Sequence, residues 1–387
     1  MPGRKAGIAR AAQAHDCLAH LFRPHLPTTA AATTMRADGF RPPTADSGVP
    51  TPSTCRTAPT VEGSRPCHTT EGIRPMSSHD DHTTVIVGAG PAGLTAALGL
   101  ARYRHPVIVV DGPRAPRNSA SAGVHGHIGM DGVTPAEFRE RAWRELSRYT
   151  TVERLEDDAD SVSSAPGGGF RVALGSGETV EARTVLLATG VVDVHPADVD
   201  GFAECWGRSV IHCPFCLGEE NAGRRWATVA DNAELAGLSA VAFRAWSEDT
   251  IAICQESMPG LETARATARS RRGDVVTGTV RRLHHREGSL YGIELADGRV
   301  LERQTLVWTP RQRQQPVVQR AAEELKLTVD DAGFVGVDAS QCTSVPGLYA
   351  AGDLTSRWKQ SVTASTAAGA VAADAIHMSA LLGAVHH

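Results

Sequence analysis

The sequence predicts an α/β protein in which one chain forms two Rossmann-like dinucleotide-binding domains, the second inserted in the first. Strand–turn–helix units begin near residues 84, 226 and 348, and these three observations predict the fold. Such units build parallel sheets, and the first and third contain residues typical of one nucleotide site. We therefore expect a discontinuous first domain over 76–194 and 307–387, and a second domain over 195–306.

Residues 1–75 differ in composition from the rest of the chain. They are rich in Ala, Pro, Thr and Arg, with nine basic and five acidic residues, no amphipathic period and no apolar signal-peptide core. A basic arm or targeting segment is one interpretation. We favour a disordered or artefactual extension, with synthesis starting at Met76. The remaining chain is mildly acidic without basic clusters, so we expect no nucleic-acid binding.

Apolar runs are too short for a membrane span, so we expect a cytoplasmic protein without contact to a membrane. The longest candidate, residues 364–384, is interrupted by Asp374 and His377 and is rich in Ala and Gly, which favours a buried helix. Among the eight cysteines only Cys213 and Cys216 have an informative spacing. One Cys-x-x-Cys pair is weak evidence for zinc and indicates a redox dithiol, so no metal site is expected.

The first unit, HTTVIVGAGPAGLTAALGLARY, is a strong dinucleotide-binding signal. Gly88 allows a tight turn, Gly90 lets the backbone approach a pyrophosphate, and Gly93 lets the helix pack on the strand. The following strand ends in Asp111, where an acid can accept ribose hydroxyl groups. A glycine-rich turn that binds nothing is the alternative, which the flanking strand and helix disfavour.

Later segments complete the first domain. Thr134 and Glu137 form a capping box for a helix, and a hairpin-rich stretch ends in TVLLATG, residues 184–190. The last strand ends in Gly352-Asp353, before a helix that starts near Gln360. An acid there can hold a ribityl hydroxyl, and a helix N-terminus can stabilise negative charge on a reduced flavin ring.

The inserted domain begins with HCPFCLGEENAGRRWATVADNAE, residues 212–234. Its first half contains the Cys-x-x-Cys pair, and Pro214 should stiffen that turn. In its second half a strand, residues 226–229, leads into a turn that lacks glycine. A turn without glycine has no backbone cradle for a pyrophosphate.

These residues together resemble the low-molecular-weight thioredoxin reductase family over about residues 83–380. Within that family, RNSASAGVHGHIGMDG and HCPFCLGEE are most similar to dithiol oxidases of natural-product biosynthesis, which close the disulfides of gliotoxin-like and holomycin-like compounds. The Ala/Arg/Gly-rich composition favours the holomycin type, a dithiolopyrrolone.

The resemblance implies FAD as cofactor and a homodimer. It implies that His125 approaches the flavin, while His127 stands where family members have an aromatic residue. The cofactor-binding residues it implies are Gly88, Gly90, Pro91, Ala92, Gly93, Asp111, Gly112, Arg117, Asn118, His125, Ala188, Gly352, Asp353, Gln360 and Ser361.

The chain departs from nicotinamide-using reductases in the inserted domain. Ala230, Asn232 and Leu235 stand where such enzymes have GxGxxA. Asp231 and Glu234 would face the pyrophosphate, and residues 255–257 offer no base for a 2′-phosphate. We therefore expect no NADPH binding.

A second departure concerns the thiol proton. Leu217 stands where thioredoxin reductases have an Asp directly after the second cysteine. His212, Glu219 and Glu220 are the candidates to move that proton. A linker histidine and a solvated acidic turn are the alternative interpretations.

The expected catalytic residues are Cys213, Cys216 and His212. By resemblance, a thiolate of a small dithiol substrate attacks Cys213, and Cys216 faces the flavin. The electron pair then leaves through the flavin to O2, giving H2O2. Two alternatives stay open: a reductase of a protein disulfide fed by a ferredoxin-type donor, and a non-catalytic flavin-binding redox sensor.

Overall fold

The computed structural model describes residues 83–385. The expectation for residues 1–75 lies outside them. The strands are β1 (Thr84–Val87), β2 (Val107–Val110), β3 (Val152–Leu155), β4 (Ala159–Ser164), β5 (Phe170–Leu174), β6 (Thr179–Ala182), β7 (Thr184–Leu187), β8 (Val191–Val194), β9 (Val210–Ile211), β10 (Trp226–Val229), β11 (Thr250–Cys254), β12 (Asp274–Thr277), β13 (Val280–Arg286), β14 (Ser289–Leu295), β15 (Val300–Leu301), β16 (Thr305–Val307), β17 (Arg311–Gln314) and β18 (Leu348–Ala350). The α-helices are α1 (Pro91–Arg102), α2 (Pro135–Leu146), α3 (Phe202–Cys205), α4 (Pro214–Leu217), α5 (Ala233–Ala242), α6 (Leu261–Arg269), α7 (Pro316–Glu324) and α8 (Val362–Val385).

The first sheet is parallel and has the strand order β18-β7-β1-β2-β3. Its central strand β1 is fully buried because helices and a second layer cover both faces, as its run of apolar and β-branched residues predicts. Helices α1 and α8 pack on one face around Ile86, Leu100 and Ile376. The antiparallel sheet β4-β5-β6 and helix α7 contribute to the cluster on the other face.

The inserted sheet is also parallel, with the order β12-β11-β10-β16-β9. Helices α5 and α6 pack against it through alanines such as Ala236 and Ala264. The antiparallel strands β13, β14 and β15 extend the domain. Two Rossmann-like sheets with one inserted in the other confirm the predicted fold.

An antiparallel ribbon joins the two domains. It pairs β8 with β17, so that Asp193 lies opposite Gln312. The chain enters and leaves the insert through this ribbon. The predicted boundary at residue 307 coincides with the end of β16, a strand of the inserted sheet, so the chain crosses back a few residues later.

The C-terminal helix was expected to be buried, and this expectation is wrong for part of its surface. Ala372, Ala373 and Ile376 of α8 are buried, but Met378 and Leu382 are 52% and 58% exposed. The helix is apolar on more than one side, so its composition did not reveal the exposed side. Within the described part of the chain, no helix is long and apolar enough to cross a membrane.

Candidate active site

A cavity of ≈ 340 Å³ extends from the glycine loop after β1 to the Cys-x-x-Cys pair. It brings together nearly every residue that the sequence suggested. Its wall includes Gly88, Gly90, Pro91, Ala92, Asp111, Gly112, Arg117, Asn118, His125, Ala188, His212, Cys213, Cys216, Gly352, Asp353, Gln360 and Ser361. Gly93, Glu219 and Glu220 are the suggested residues outside that wall, and the role of Gly93 is in packing.

The glycine loop has the geometry of a dinucleotide cradle. Gly88 has φ +104°, and a Cβ there would lie 2.7 Å from the carbonyl oxygen of Ala188. A Cβ on Gly93 would lie 1.9 Å from the Gly88 carbonyl oxygen, so helix α1 could not pack on the turn. Gly90 is the N-cap of α1 and provides no side-chain cap. Backbone N–H groups at this helix end can therefore bind a pyrophosphate, and the cradle fits FAD.

Asp111 directly follows β2, and Arg139 of helix α2 reaches its carboxylate. The Asp111 carboxylate accepts a hydrogen bond from Ala89 N–H at 3.1 Å and one from Arg139 at 2.6 Å. Asp111 is 8% exposed, yet it lines the cavity. The carboxylate is thus fixed beside the glycine loop, in reach of the sugar that follows a bound pyrophosphate.

Arg117 bridges two carboxylates at the other end of the cavity. Its guanidinium donates to both oxygens of Asp193 at 2.6 and 3.0 Å and to Asp353 at 2.9 Å. Burial would raise the pKa of Asp193, but the hydrogen bonds and charge of Arg117 outweigh burial and hold the pKa below its ordinary value. Burial keeps the pKa of Asp353 above its ordinary value despite the same arginine. Arg117 therefore fixes the acid expected to hold a ribityl hydroxyl.

The domain-joining ribbon extends this network. The Gln312 amide donates to Asp193 at 2.9 Å and to Gln360 at 2.8 Å. Its nitrogen also lies 3.5 Å from Nε2 of His212, the residue before Cys213. Sequence reasoning missed Asp193 and Gln312. In the sequence, Asp193 and Gln312 appear only as polar residues in two short strands between the domains, β8 and β17.

The two redox cysteines lie at the start of α4. Their Sγ atoms are 2.7 Å apart, close enough for them to form a disulfide upon oxidation. An S–H hydrogen bond from Cys216 is the main cause that lowers the pKa of Cys213 to about 7, and the N–H groups of Phe215 and Cys216 add to it. The same contact raises the pKa of Cys216. The positive charge of Lys359 lowers the pKa of both thiols. Sequence reasoning missed this residue.

His212 lies in the cavity wall, partly buried. Burial, with the positive charge of Arg117, lowers its pKa to about 4. The imidazole is therefore neutral at physiological pH and a weak base.

His125 forms a contact between the two domains. Its Nδ1 lies 3.3 Å from Oε1 of Glu220 in the insert and 3.8 Å from Oδ1 of Asp131. Its ring lies over Gly123, where a Cβ would be 2.6 Å from Nε2. Glu219 and Glu220 are both exposed, and Glu219 has no ion pair or side-chain hydrogen bond within residues 83–385.

The glycine-free turn of the insert satisfies its own helix end. Oδ1 of Asn232 accepts a hydrogen bond from the N–H of Leu235 at 2.8 Å and caps α5. Asp231 accepts from the Asn232 amide at 2.9 Å, and Glu234 lies in the first helical turn. Three residues with oxygen-bearing side chains thus lie at the N-terminal end of α5.

The other cysteines within residues 83–385 have the features of inert thiols. Cys205 and Cys254 are buried, and burial raises the pKa of each as well as that of Cys342. Across the described residues no cluster of three metal-ligating side chains occurs.

Comparisons with known proteins agree with this arrangement. The sequence profile of the family named pyridine nucleotide-disulphide oxidoreductase matches residues 82–225 and 264–369. Thioredoxin reductase tcpT of Claviceps purpurea is 39% identical over 150 residues, which are 38% of this chain but only 46% of that relative's length. Thioredoxin reductase aclD of Aspergillus oryzae is 29% identical over 283 residues, 70% of this chain and 87% of that one.

Solved structures agree over both domains. The crystal structure of HlmI has a TM-score of 0.69 and 32% identity, covering 79% of this chain and 94% of that one. The putative thioredoxin reductase TrxB from Bacillus anthracis has a TM-score of 0.71 and 26% identity, covering 77% and 98%. These similarities confirm the resemblance to thioredoxin reductases. The family profile leaves a gap over the segment that contains the Asn232 turn.

Proposed function

The chain belongs to the pyridine nucleotide-disulphide oxidoreductase family, and we propose that it is a dithiol oxidase that forms an intramolecular disulfide in a small natural product, with O2 reduced to H2O2. It is a thioredoxin reductase-like flavin oxidoreductase, and FAD is the cofactor expected for this fold. The substrate we propose is the reduced form of a dithiolopyrrolone such as holomycin.

One observation carries the proposal: the cysteine pair lines the cofactor cavity while the helix end of the insert is capped by its own Asn232. Because the cysteine pair lines the cavity, electrons from a dithiol substrate can enter there. Because Asn232 already caps the helix of the insert, reduction by a nicotinamide bound at that helix is disfavoured. The motifs RNSASAGVHGHIGMDG and HCPFCLGEE, which resemble those of dithiol oxidases of natural-product biosynthesis, support the natural-product substrate class.

The exchange step follows from the two cysteines. In the oxidised enzyme a substrate thiolate attacks Sγ of Cys213, and the Cys213–Cys216 bond breaks. The second substrate thiolate attacks the sulfur bound to Cys213, forms the substrate disulfide and releases Cys213. Two electrons and two protons move from the substrate thiols to the cysteine pair, which is left as a dithiol. A lowered pKa suits Cys213 to this second step, because the better leaving group is the less basic thiolate.

Bound FAD would accept the electron pair from the cysteines and pass it to O2. Around it, the glycine loop would hold the pyrophosphate, Asp111 the ribose and Asp353 the ribityl chain. The N-terminal turn of α8, beside Gln360 and Ser361, faces the same cavity. Ser361 Oγ accepts a hydrogen bond from the Ala364 N–H at 3.2 Å, and the positive end of the helix dipole favours negative charge there.

Electrostatics argue against NADPH as the reductant. Asp231 and Glu234 each lie where a pyrophosphate would bring like charge close, which costs about 1 kcal/mol per pair at 4 Å in water. Asn232 also competes for one N–H of the helix end. A loss of a few kcal/mol weakens binding by about a hundredfold.

An anaerobic flavin titration tests this proposal. The oxidised holoprotein is mixed first with NADPH and then with a small dithiol, and the flavin absorbance is followed. We expect bleaching by the dithiol alone, and rapid bleaching by micromolar NADPH would refute the electron route. In air, reduced holomycin should consume one O2 per disulfide without any nicotinamide.

A reductase of a protein disulfide is the alternative. Phe215, between the two cysteines, is 70% exposed, and such an aromatic could contact a protein partner. Oxygen uptake with reduced thioredoxin but not with the small dithiol, or only with an added electron carrier, would favour this alternative. Absence of turnover beyond one equivalent would instead favour a redox sensor.

We propose a homodimer, with the exposed apolar side of α8 as the contact.

A further inference from the structure

Two backbone segments from different domains meet in the wall of the cofactor cavity. The ribbon of β8 and β17 joins the domains, and a two-stranded ribbon is only marginally stable by itself. A further contact is therefore needed to hold the insert, and with it the cysteine pair, in one position. Gly207 of the insert and Ala120 of the first domain make such a contact, and both line the cavity.

The contact depends on the missing side chain of Gly207. This residue has φ +75°, and an added Cβ would lie 2.7 Å from the carbonyl carbon, 2.8 Å from the carbonyl oxygen and 2.9 Å from the Cβ of Ala120. Ordinary contacts begin at 3.4 Å, so one of the two close-packed segments would have to move by about 0.7 Å. Among the glycines within residues 83–385, Gly207 is the one whose added Cβ would have its three nearest neighbours in the other domain.

The turn that contains Gly207 is tied to the cysteine pair. The N–H of Gly207 donates to the carbonyl oxygen of Val210 at 2.9 Å, and Val210 begins β9, which ends two residues before Cys213. The neighbouring Ser209 hydroxyl accepts a hydrogen bond from the N–H of Leu290 at 3.1 Å. A displacement at Gly207 therefore reaches the cysteines through one short strand.

The loop that contains Ala120 is tied to the cofactor site. The N–H of Ser121 donates to the carbonyl oxygen of Asn118 at 2.9 Å, and residues 117, 118, 120 and 121 all line the cavity. Arg117, in the same loop, donates to Asp353 at 2.9 Å. The loop thus fixes Ala120 relative to the residues that would hold FAD.

We propose that Gly207, seated against Ala120, is the positioning residue that sets the distance over which the cysteine pair reduces bound FAD. In that step the cysteine pair passes two electrons and one proton to FAD, releases the second proton to solvent and re-forms its disulfide. Thiol exchange between substrate and Cys213 takes place within the insert and does not depend on this distance. This role rests on the proposed function, because electrons must enter through the cysteines.

Gly207→Ala tests this role, with Gly223→Ala as the matched control. Gly223 also belongs to the insert and has φ +74°, but an added Cβ there would meet nothing within 4 Å. Both variants carry the same backbone strain, and only Gly207→Ala presses on the first domain.

Two rates are measured after the oxidised holoprotein is mixed anaerobically with a small dithiol. Reduction of the Cys213–Cys216 disulfide is followed by rapid quench with an alkylating agent and mass spectrometry. Reduction of the flavin is followed by the loss of its absorbance.

We expect disulfide reduction at the wild-type rate in both variants. Bleaching of the flavin should be about ten- to a hundredfold slower in Gly207→Ala alone, because a misplacement of about 1 Å can cost a hundredfold in rate. The double variant Gly207→Ala/Ala120→Gly, which removes one of the three close neighbours, should recover part of the loss.

A spectroscopic readout needs no turnover. In the Cys213→Ser background, Gly207→Ala should weaken the charge-transfer band of the Cys216 thiolate beside the flavin, and Gly223→Ala should leave it unchanged. Retained FAD and a melting temperature equal to that of Gly223→Ala verify folding. Should Gly207→Ala not fold, Ala120→Val presses on the same contact from the first domain and should give the same pattern.

Equal bleaching rates in Gly207→Ala and Gly223→Ala, or equal charge-transfer bands, would overturn the role of Gly207. Slowing of disulfide reduction by the same factor as bleaching would overturn it too, because the loss would then be a general structural one. Failure of the proposed function looks different. There a small dithiol does not bleach the wild-type flavin, while the charge-transfer bands of the two glycine variants still report on the position of the cysteines.

Discussion

Removing the hydrogen bond between the two cysteines should make Cys213 less reactive. The S–H group of Cys216 is the main reason that the pKa of Cys213 falls from 9.0 to about 7. Cys216→Ala removes this donor, whereas Cys216→Ser keeps an O–H donor at the same place. The pair of variants therefore separates the hydrogen bond from the rest of the environment.

The size of the effect follows from the thiolate fraction. At pH 7 a thiol with the ordinary value is about 1% ionised, and one with a pKa of about 7 is half ionised, a gain of about fiftyfold. A less basic thiolate is also a weaker nucleophile, which offsets about six- to tenfold of that gain. Alkylation of Cys213 at pH 7 should thus be about five- to eightfold slower in Cys216→Ala, with Cys216→Ser close to wild type.

The assay is peptide-resolved mass spectrometry after timed iodoacetamide treatment of the anaerobically reduced protein, from pH 5.5 to pH 9. The rate at Cys213 should rise with pH and reach half its limit near pH 7 in wild type. Buried Cys205 and Cys254 have raised pKa values and provide internal controls that should stay unmodified. Equal rates in the alanine and serine variants would refute the reasoning.

Three further outcomes are expected. Cys213→Ser should show a long-wavelength charge-transfer band from the Cys216 thiolate beside the flavin and Cys216→Ser should lack it, so equal absorption spectra would contradict the assignment. Arg117→Met should lower the unfolding free energy by about 3–5 kcal/mol, because the Asp193 carboxylate stays buried without its partner, and Arg117→Lys should recover part of this in a denaturant titration. The pKa of His212 is lowered from 6.5 to about 4, so the unfolded chain binds this proton first and the unfolding free energy decreases as the pH falls from 6.5 to 4. In His212→Gln this loss of stability at acid pH should be smaller by up to about 2 kcal/mol, measured by thermal unfolding at pH 6.5 and 4.5.

The features that the sequence predicted correctly are those encoded by neighbouring residues. The β1 strand, the glycine loop and the Thr134 cap each depend on a few consecutive side chains, so pattern and spacing were sufficient. The Thr134 hydroxyl accepts from Glu137 N–H at 3.1 Å, but the Glu137 carboxylate pairs with Arg141 and does not complete the capping box. Competition from a second partner is not visible in a four-residue motif.

The parts of the site that sequence reasoning missed depend on residues far apart in the chain. The Gln312–Asp193 hydrogen bond joins residues separated by 119 positions. Their proximity follows from the pairing of β8 with β17, and a two-stranded ribbon has no strong sequence pattern of its own. The His125–Glu220 contact also joins residues far apart in the chain, because it forms only when the insert lies against the loop before α2.

The contacts between the two domains hold the cysteine pair at the cofactor cavity, which is the arrangement that the proposed function requires. Arg117 and Gln312 link Asp353 of the first domain through the ribbon to His212, directly before the cysteine pair. His125 and Glu220 add a second contact beside that pair. A reductant bound at the Asn232 turn would need its own access to the cavity, which the cysteines already line. A small dithiol has no such requirement, because it reaches the flavin through those cysteines. The same contacts that hold the cysteines at the cavity therefore favour electron entry from a thiol substrate.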